Sequence, residues 1–235
     1  MNTVRSSREP IGDPPQLTAD LLSLRDVTTT TKEIKDATLP VDILLITSRD
    51  GEFLACYTQM INPFRCYSED VGYVYFDGER QQEKVSVALV RSNQGPGGTL
   101  LTVKNAATLL RPKAVICVGT CSALNPNKTK LGDVVISAKV HSTTCNLTPC
   151  VSRRFLNVIK NAADGYNAPL RNPEAYEIKV ICDGDFLSLQ EQVSNEGRRE
   201  ELAKSCPQAT AMETGGAGGL MCFAFFQLVM ALAAE

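Results

Sequence analysis

Short apolar runs separated by polar loops recur along the chain from residue 41 onward. The run VDILLIT at 41–47 is continuous and rich in Ile and Leu, as is typical of a strand buried on both faces of a sheet. Residues 100–110 instead place apolar side chains at helical spacing and stop before Pro112. The predicted strands cover 41–47, 71–76, 84–90, 114–118, 133–140, 177–182 and 209–212, and the predicted helices 52–60, 100–110, 155–163 and 193–204. Because strands alternate with helices, the pattern predicts a mixed α/β domain with a largely parallel core sheet.

The two ends of the chain differ from this pattern. Residues 1–40 contain prolines and a Thr run but no sustained apolar period, which predicts a tail or linker before a domain at 41–235. Residues 215–234 form an uncharged run of 20 residues, about the length that a membrane span needs. Its glycines, Gln227 and the lack of flanking Lys or Arg argue against an anchor, so we expect a helix buried against the sheet.

The composition argues against several classes of function. Twenty-four basic residues against 26 acidic ones give a net charge of -2, so no basic excess supports nucleic acid as a partner. The single histidine, His141, argues against catalytic triads and multi-histidine metal sites. Several of the nine cysteines lie inside apolar runs, which predicts free thiols in a reducing compartment. Since the first residues lack the apolar core of a signal peptide, we expect a cytoplasmic protein.

Two segments carry candidate chemistry. The loop QGPGG, with Gly95, Gly97 and Gly98, follows one predicted strand and opens a helix, so its backbone amides could approach an anionic or polar ligand. A plain tight turn explains this loop equally well. The second segment, 115–139, runs from a buried strand into Gly119 and Thr120, then through a small-residue turn to an L-G-D triplet that opens another strand.

The second segment resembles the signature of the nucleoside phosphorylase and nucleosidase superfamily, a V-G-[ST]-x-G-G-L turn followed by L-G-D-V-V-I. Here the turn reads VGTCSAL, and 42–53 (DILLITSRDGEF) and 211–213 (AME) match two further segments in the family's order. The runs PVDILL, GPGG, VKNA and LRPKAV are similar to an invertebrate subgroup that includes nucleosidase modules of immune proteins, some of which split adenine nucleotides. The resemblance implies a three-layer α/β/α fold with a mixed, mainly parallel sheet.

The same resemblance implies cleavage of the N-glycosidic bond of a purine nucleoside or nucleotide. Glu213 would accept hydrogen bonds from the ribose hydroxyls, a task that suits a carboxylate, and Met212 would pack on the sugar. Phe186 would stack on the base. The structural alternatives are a surface glutamate at a strand end for Glu213 and a core aromatic for Phe186.

The resemblance also implies which residues would activate and surround the nucleophile. Glu52 aligns with the glutamate that activates water in hydrolytic members, with a helix-stabilising role in the first turn as its alternative. Gly119 and Thr120 would line the pocket beside the nucleophile, together with the glycine loop. Cys117 stands where many phosphorylases carry the arginine that binds phosphate, and a thiol cannot replace a guanidinium. Arg49 and Arg91 are the candidate substitutes, but water is favoured over phosphate. The family needs no metal or organic cofactor, and its members form homo-oligomers.

One departure from the family pattern keeps a second hypothesis open. Family members continue past the M-E strand through a helix to a strand that ends in an S-D pair, whose aspartate faces the purine N7. No such strand is recognisable here, so we expect the sheet to lack its last strand. The second hypothesis is therefore a catalytically inactive nucleoside-binding or interaction module. A third, which rests on the uncharged run at 215–234, is a form anchored in a membrane.

Overall fold

The computed structural model describes residues 16–78, 85–92, 96–125, 128–142, 153–189, 193, 195–213 and 227–233. Strands and helices alternate over most of this length, as the apolar pattern predicts. In chain order the elements are β1 (Ile43–Thr47), α1 (Asp50–Tyr57), β2 (Phe64–Ser68), β3 (Gly72–Phe76), β4 (Val87–Arg91), α2 (Pro96–Leu110), β5 (Ala114–Ala123), β6 (Val134–Ser142), α3 (Arg153–Lys160), β7 (Val180–Ser188), α4 (Glu196–Ser205), β8 (Ala209–Glu213) and β9 (Gln227–Ala233).

The nine strands of the described residues belong to one sheet, in the order β2-β3-β4-β1-β5-β8-β7-β6-β9. A further pairing joins β9 back to β5 in parallel, so β5, β8, β7, β6 and β9 close into a ring. Strand β1 runs parallel to both β4 and β5, whereas the β2–β3 and β3–β4 pairs are antiparallel. The mixed, mainly parallel sheet that the sequence predicts is therefore confirmed.

The core lies on both faces of this sheet. Leu44 and Ile46 of β1 pack with Val103 and Ala106 of α2, while Leu45 points the other way toward α1. Helix α4 covers the face of β7 and β8 through Leu202 and its neighbours, and α3 packs near β6 through Ile159. The sheet thus lies between helical layers, which is the three-layer arrangement expected.

A carboxylate ties together the starts of the three adjacent parallel strands. Asp42, just before β1, accepts hydrogen bonds from the backbone N–H and hydroxyl of Ser86, just before β4, at 2.7 and 3.0 Å. Its other oxygen lies 2.6 Å from Nζ of Lys113, just before β5. These contacts hold the three strands in register at one end, and their other ends carry the candidate site.

The predicted tail at 1–40 is described only from residue 16 onward, and residues 1–15 lie outside the described residues. Within 16–40, several residues contact the domain: Thr31 bridges Arg65 of β2, Thr28 N–H donates to the Tyr57 hydroxyl at 2.8 Å, and Ala37 lies in the core. Isolated polar and apolar contacts of this kind have no period that a sequence pattern could reveal.

The predicted C-terminal helix is wrong for 227–233, which form strand β9. This strand lies between β5 and β6 and pairs with Val115–Cys121 of β5 along seven positions. The sheet therefore continues after β8, where the sequence indicated no further strand. Strand formation here satisfies the backbone of β5 on that side, a long-range gain that local apolar content does not report.

Two further observations bear on the predictions from composition. Among the described helices, none is both long and apolar enough to cross a membrane. The cysteines within the described ranges are free thiols, as expected: Cys56, Cys66, Cys117, Cys121, Cys182 and Cys206.

Candidate functional site

The candidate site lies along one edge of β5, between the part that pairs with β1 and the part that pairs with β8. Strand β1 pairs with β5 as far as Cys117, and β8 pairs with the same edge only from Ser122 onward. Since β1 is parallel and β8 antiparallel to β5, their carboxyl ends point toward each other across residues 118–121. Extending the two registers separates Thr47 from Glu213 by three β5 positions, roughly 10 Å. We call residues 118–121 and the ends of β1 and β8 the β5 gap.

Glu52 fills part of the gap from the side of β1. Its Oε1 accepts hydrogen bonds from the backbone N–H and hydroxyl of Thr120 at 2.9 and 3.1 Å. Its Oε2 accepts from the backbone N–H groups of Ser48 and Arg49 at 3.1 and 2.9 Å. A Cβ built on Gly119 would lie 3.4 Å from Oε1, so a larger residue would crowd the carboxylate. Glu52, Gly119 and Thr120 are therefore brought together, as the sequence predicts.

The first turn of α1 positions Glu52. Glu52 is the third residue of the helix, and its side chain reaches back to the backbone N–H of Arg49 at the N-cap, so one carboxylate oxygen caps the helix while the other holds β5. Burial and the negative charge of Glu52 raise the pKa of the Cys56 thiol, one turn further along, to about 11. The helix-stabilising role and the contact with the gap are both present in the same side chain.

Hydroxyl groups line the adjacent ends of β1 and β4. The hydroxyls of Ser48 and Ser92 are 3.0 Å apart, and Ser92 Oγ lies 3.4 Å from Oγ1 of Thr99 in the first turns of α2. The sequence analysis did not single out these three residues. Ser48 stands inside the quoted segment 42–53, but a serine in a loop carries no distinctive signal, and only the parallel pairing of β1 with β4 brings Ser92 to it.

The two arginines considered as phosphate ligands have different surroundings. Arg91, the last residue of β4, forms an ion pair with Asp50 of α1. Arg49 donates from Nη1 to the hydroxyl of Thr120 at 3.2 Å and is exposed. Of the two, Arg49 directly contacts a residue of the β5 gap.

Glu213 approaches the gap from the side of β8. It is the last residue of that strand, and its register places it opposite Cys121 of β5. Burial and the charge of Glu213 raise the pKa of the Cys121 thiol to about 12, which agrees with this register. Glu52 and Glu213 thus reach the same short stretch of β5 from opposite sides.

The other predicted ligand-contacting side chains lie elsewhere. Phe186 is fully buried in the main core, and Met212 packs against Leu187 and Leu202 beneath α4. With these side chains as they stand, no surface of Phe186 is available for a base. Met212 faces away from Glu213 because successive strand residues alternate between faces. The sequence shows an aromatic and a methionine beside the motifs, but it does not show which face of the strand is covered.

The glycine loop is only partly described. Gly95 lies outside the described residues, while Gly97 and Gly98 belong to the first turn of α2. This agrees with a loop that opens a helix, and the role of the glycines in a nucleophile pocket stays a prediction.

His141 of β6 forms a further polar pair. Its Nε2 lies 2.9 Å from Oδ2 of Asp185. Over the ranges that the structure describes, no group of three His, Cys, Asp or Glu residues could hold a metal ion.

Comparison with known proteins finds solved structures that share the fold and a relative that is similar in sequence. No protein-family model matches the chain. A death domain-containing ATP nucleosidase from Amphimedon queenslandica is 26% identical over 233 residues, which cover 83% of this chain and 43% of the relative. The chain therefore spans less than half of the length of that relative.

Solved structures of 5'-methylthioadenosine/S-adenosylhomocysteine nucleosidases share the fold. The Neisseria meningitidis protein, in complex with methylthio-immucillin-A, gives a TM-score of 0.68 at 15% identity and covers 83% of this chain and 85% of that one. The Streptococcus pneumoniae protein with the transition-state inhibitor MT-ImmA gives 0.66 at 16% identity, over 82% and 85%. The Colwellia psychrerythraea protein with adenine gives 0.66 at 14%, over 83% and 82%. The chain has the nucleoside phosphorylase-like fold that its motifs predict.

Proposed function

We propose that this chain cleaves the N-glycosidic bond of a purine nucleoside or nucleotide, with water as the nucleophile. The observation that carries the proposal is the convergence of two carboxylates, Glu52 and Glu213, on residues 118–121 of β5. The solved structures with this fold contain purine nucleoside analogues or adenine, and the sequence relative is called an ATP nucleosidase. These likenesses support the choice of substrate class.

Glu213 is assigned to the sugar. A carboxylate accepts hydrogen bonds from two hydroxyls at once, and its negative charge favours a sugar that becomes positively charged as the bond to the base breaks. The raised pKa of the Cys121 thiol keeps that neighbour neutral, so no second negative charge develops beside the carboxylate near neutral pH.

Glu52 and Thr120 are assigned to the water. The carboxylate already accepts two bonds at each oxygen, which fills the four sites that an ionised carboxylate offers. Three of these donors are backbone N–H groups, and only the Thr120 hydroxyl can rotate away. When it does, Oε1 gains a free site, and a water held between Oε1 and the hydroxyl could lose its proton to Glu52.

Release of free base tests the proposal. The purified chain is incubated with adenosine, inosine, methylthioadenosine, AMP or ATP, with and without inorganic phosphate, and the products are separated by chromatography. We expect base without phosphate, and Glu213→Gln should lower kcat/KM by about 10- to 100-fold because a hydrogen bond to a charged group is lost. Glu201→Gln on α4, whose partner is the exposed Arg198, is the matched control and should leave the rate unchanged.

Other results would contradict specific parts of the proposal. Base released only with phosphate would replace water by phosphate as the nucleophile. Ligand binding without any base, in a chain whose circular dichroism shows a folded α/β protein, would favour the inactive nucleoside-binding module. The burial of Phe186 and Met212 is the observation that keeps this second candidate in view.

Three features of the proposal rest on the sequence alone, the first on composition and the other two on the family resemblance. We expect the chain to act in the cytoplasm, to assemble as a homo-oligomer and to need no organic cofactor. Size-exclusion chromatography with light scattering measures the assembly state directly.

A further inference from the structure

Arg49 lies at the β5 gap, and within the described part of the chain its guanidinium forms no ion pair with a carboxylate. The neighbouring cation, Arg91, is paired with Asp50. Arg49 is exposed, and its side chain contacts the Thr120 hydroxyl through Nη1. A guanidinium has five N–H donors in a planar fork, so most of its donors face solvent beside the gap.

A planar array of donors with a permanent charge is suited to phosphoryl oxygens, which it binds in a bidentate manner. Two sources of such a group exist: inorganic phosphate as a second substrate, or a phosphate ester on the nucleotide itself. The charges around the gap distinguish them.

Inorganic phosphate would have to lie next to Thr120 to act as a nucleophile in the gap. At that place Glu52 is one hydrogen bond away, and Glu213 approaches from the other side. Two carboxylates beside a phosphate dianion repel it. A phosphoryl group on the solvent side of Arg49 gains the guanidinium and keeps a greater distance from both carboxylates.

The geometry points to Arg49 as the anchor for the phosphoryl group of a purine nucleotide, so the site selects nucleotides over nucleosides. This inference rests on the proposed function, and it adds a residue that determines the substrate class. The thermodynamic gain comes from an exposed ion contact, and it should therefore weaken as ionic strength rises.

The test compares substrates within each variant. For Arg49→Met, the ratio of kcat/KM for AMP or ATP to that for adenosine should fall by about 10- to 100-fold. Arg49→Lys should retain part of the preference, because lysine keeps the charge but lacks the fork. Arg25→Met is the matched control: Arg25 is exposed and lies three residues after Leu22, whose backbone N–H donates to Thr58 at the opposite end of α1, so the substrate ratio of this variant should not change.

Several outcomes would overturn the assignment while leaving the proposed function intact. One is base release with the same substrate ratio in Arg49→Met and the unsubstituted chain. Another is base release that depends on inorganic phosphate in the unsubstituted chain but not in Arg49→Met. That result would assign the guanidinium to inorganic phosphate as a second substrate.

A binding measurement keeps the inference testable if no base is released at all. Tripolyphosphate, the probe, is titrated by calorimetry into the unsubstituted chain and into Arg49→Met. A loss of affinity of about tenfold or more in the variant would support the phosphoryl site even though the proposed function had failed. Equal affinity would overturn it.

Discussion

At the scale of single residues, the site depends on one hydroxyl group with two partners. Thr120 Oγ1 donates to Glu52 and accepts from Arg49, so it connects the residue assigned to the water with the residue assigned to the phosphoryl group. Its backbone N–H is held separately by Glu52. A substitution can therefore remove the hydroxyl and leave the β5 gap in place.

Thr120→Val tests this division of roles. Valine keeps the shape and the backbone contact but loses the hydroxyl that would hold water, so we expect kcat for base release to fall by about 100-fold, the lower end of what a positioned proton acceptor contributes. Thr120→Ser keeps the hydroxyl and should stay close to the original rate. Equal rates for the two variants, with unchanged melting temperatures, would remove Thr120 from the mechanism.

At the scale of elements, the L-G-D triplet has a plain physical basis. Gly132 has φ of +92°, a backbone region that L-residues with a Cβ rarely adopt. The next residue, Asp133, accepts from the N–H groups of Lys130 at 2.9 Å and Lys179 at 3.0 Å. The turn and the buried carboxylate together place the start of β6 beside that of β7.

Gly132→Ala should destabilise the fold by about 1–2 kcal/mol, the cost of a Cβ at positive φ. The built Cβ would lie 3.7 Å from Ile178, an ordinary contact, so the cost is conformational and not steric. Gly51→Ala in α1, where nothing lies within 4 Å of the built Cβ, is the control and should be neutral or mildly stabilising. Urea unfolding of both variants measures the difference, and equal losses would mean that backbone conformation does not decide it.

At the scale of the whole molecule, the sequence is informative where burial is continuous and local. The run that forms β1 and the helix ending at Leu110 are both predicted close to their observed positions. The apolar pattern does not indicate strand β2, because its exposed Tyr67 and half-buried Arg65 interrupt that pattern. The pattern indicates a helix where strand β9 lies, because the place of β9 is fixed by distant partners in β5 and β6.

The candidate site follows the same rule. Glu52, Gly119 and Thr120 are identified through the resemblance of their segments to the family's motifs, and one helix turn and one strand bring them together. The placement of Phe186 and Met212 depends on which face of β7 and β8 is covered by other parts of the chain. Ser92 and Thr99 join the site only through pairing between elements, which spacing along the chain does not encode.

The Asp42 contacts make the stability of the whole domain depend on pH in acid. The ion pair with Lys113 and the two donors of Ser86 lower the pKa of Asp42 to about 2. In an unfolded chain, the pKa of an aspartate is about 3.9. Because the folded pKa is the lower one, the stabilisation is complete above about pH 4 and is lost as the pH falls toward 2.

Asp42→Asn should therefore be less stable than the unsubstituted chain at pH 7, and the two should converge between pH 4 and 2. Thermal or urea unfolding at intervals from pH 7 to 2 measures the difference in stability between the two. Asp164→Asn, at an exposed position, is the control for the loss of one carboxylate without the contacts. If the difference in the free energy of unfolding between Asp42→Asn and the unsubstituted chain stays constant down to pH 2, Asp42 stabilises the strand ends by its shape and neutral hydrogen bonds. Convergence would show that the charge of Asp42 stabilises the junction of β1, β4 and β5, and that this stabilisation is lost in acid.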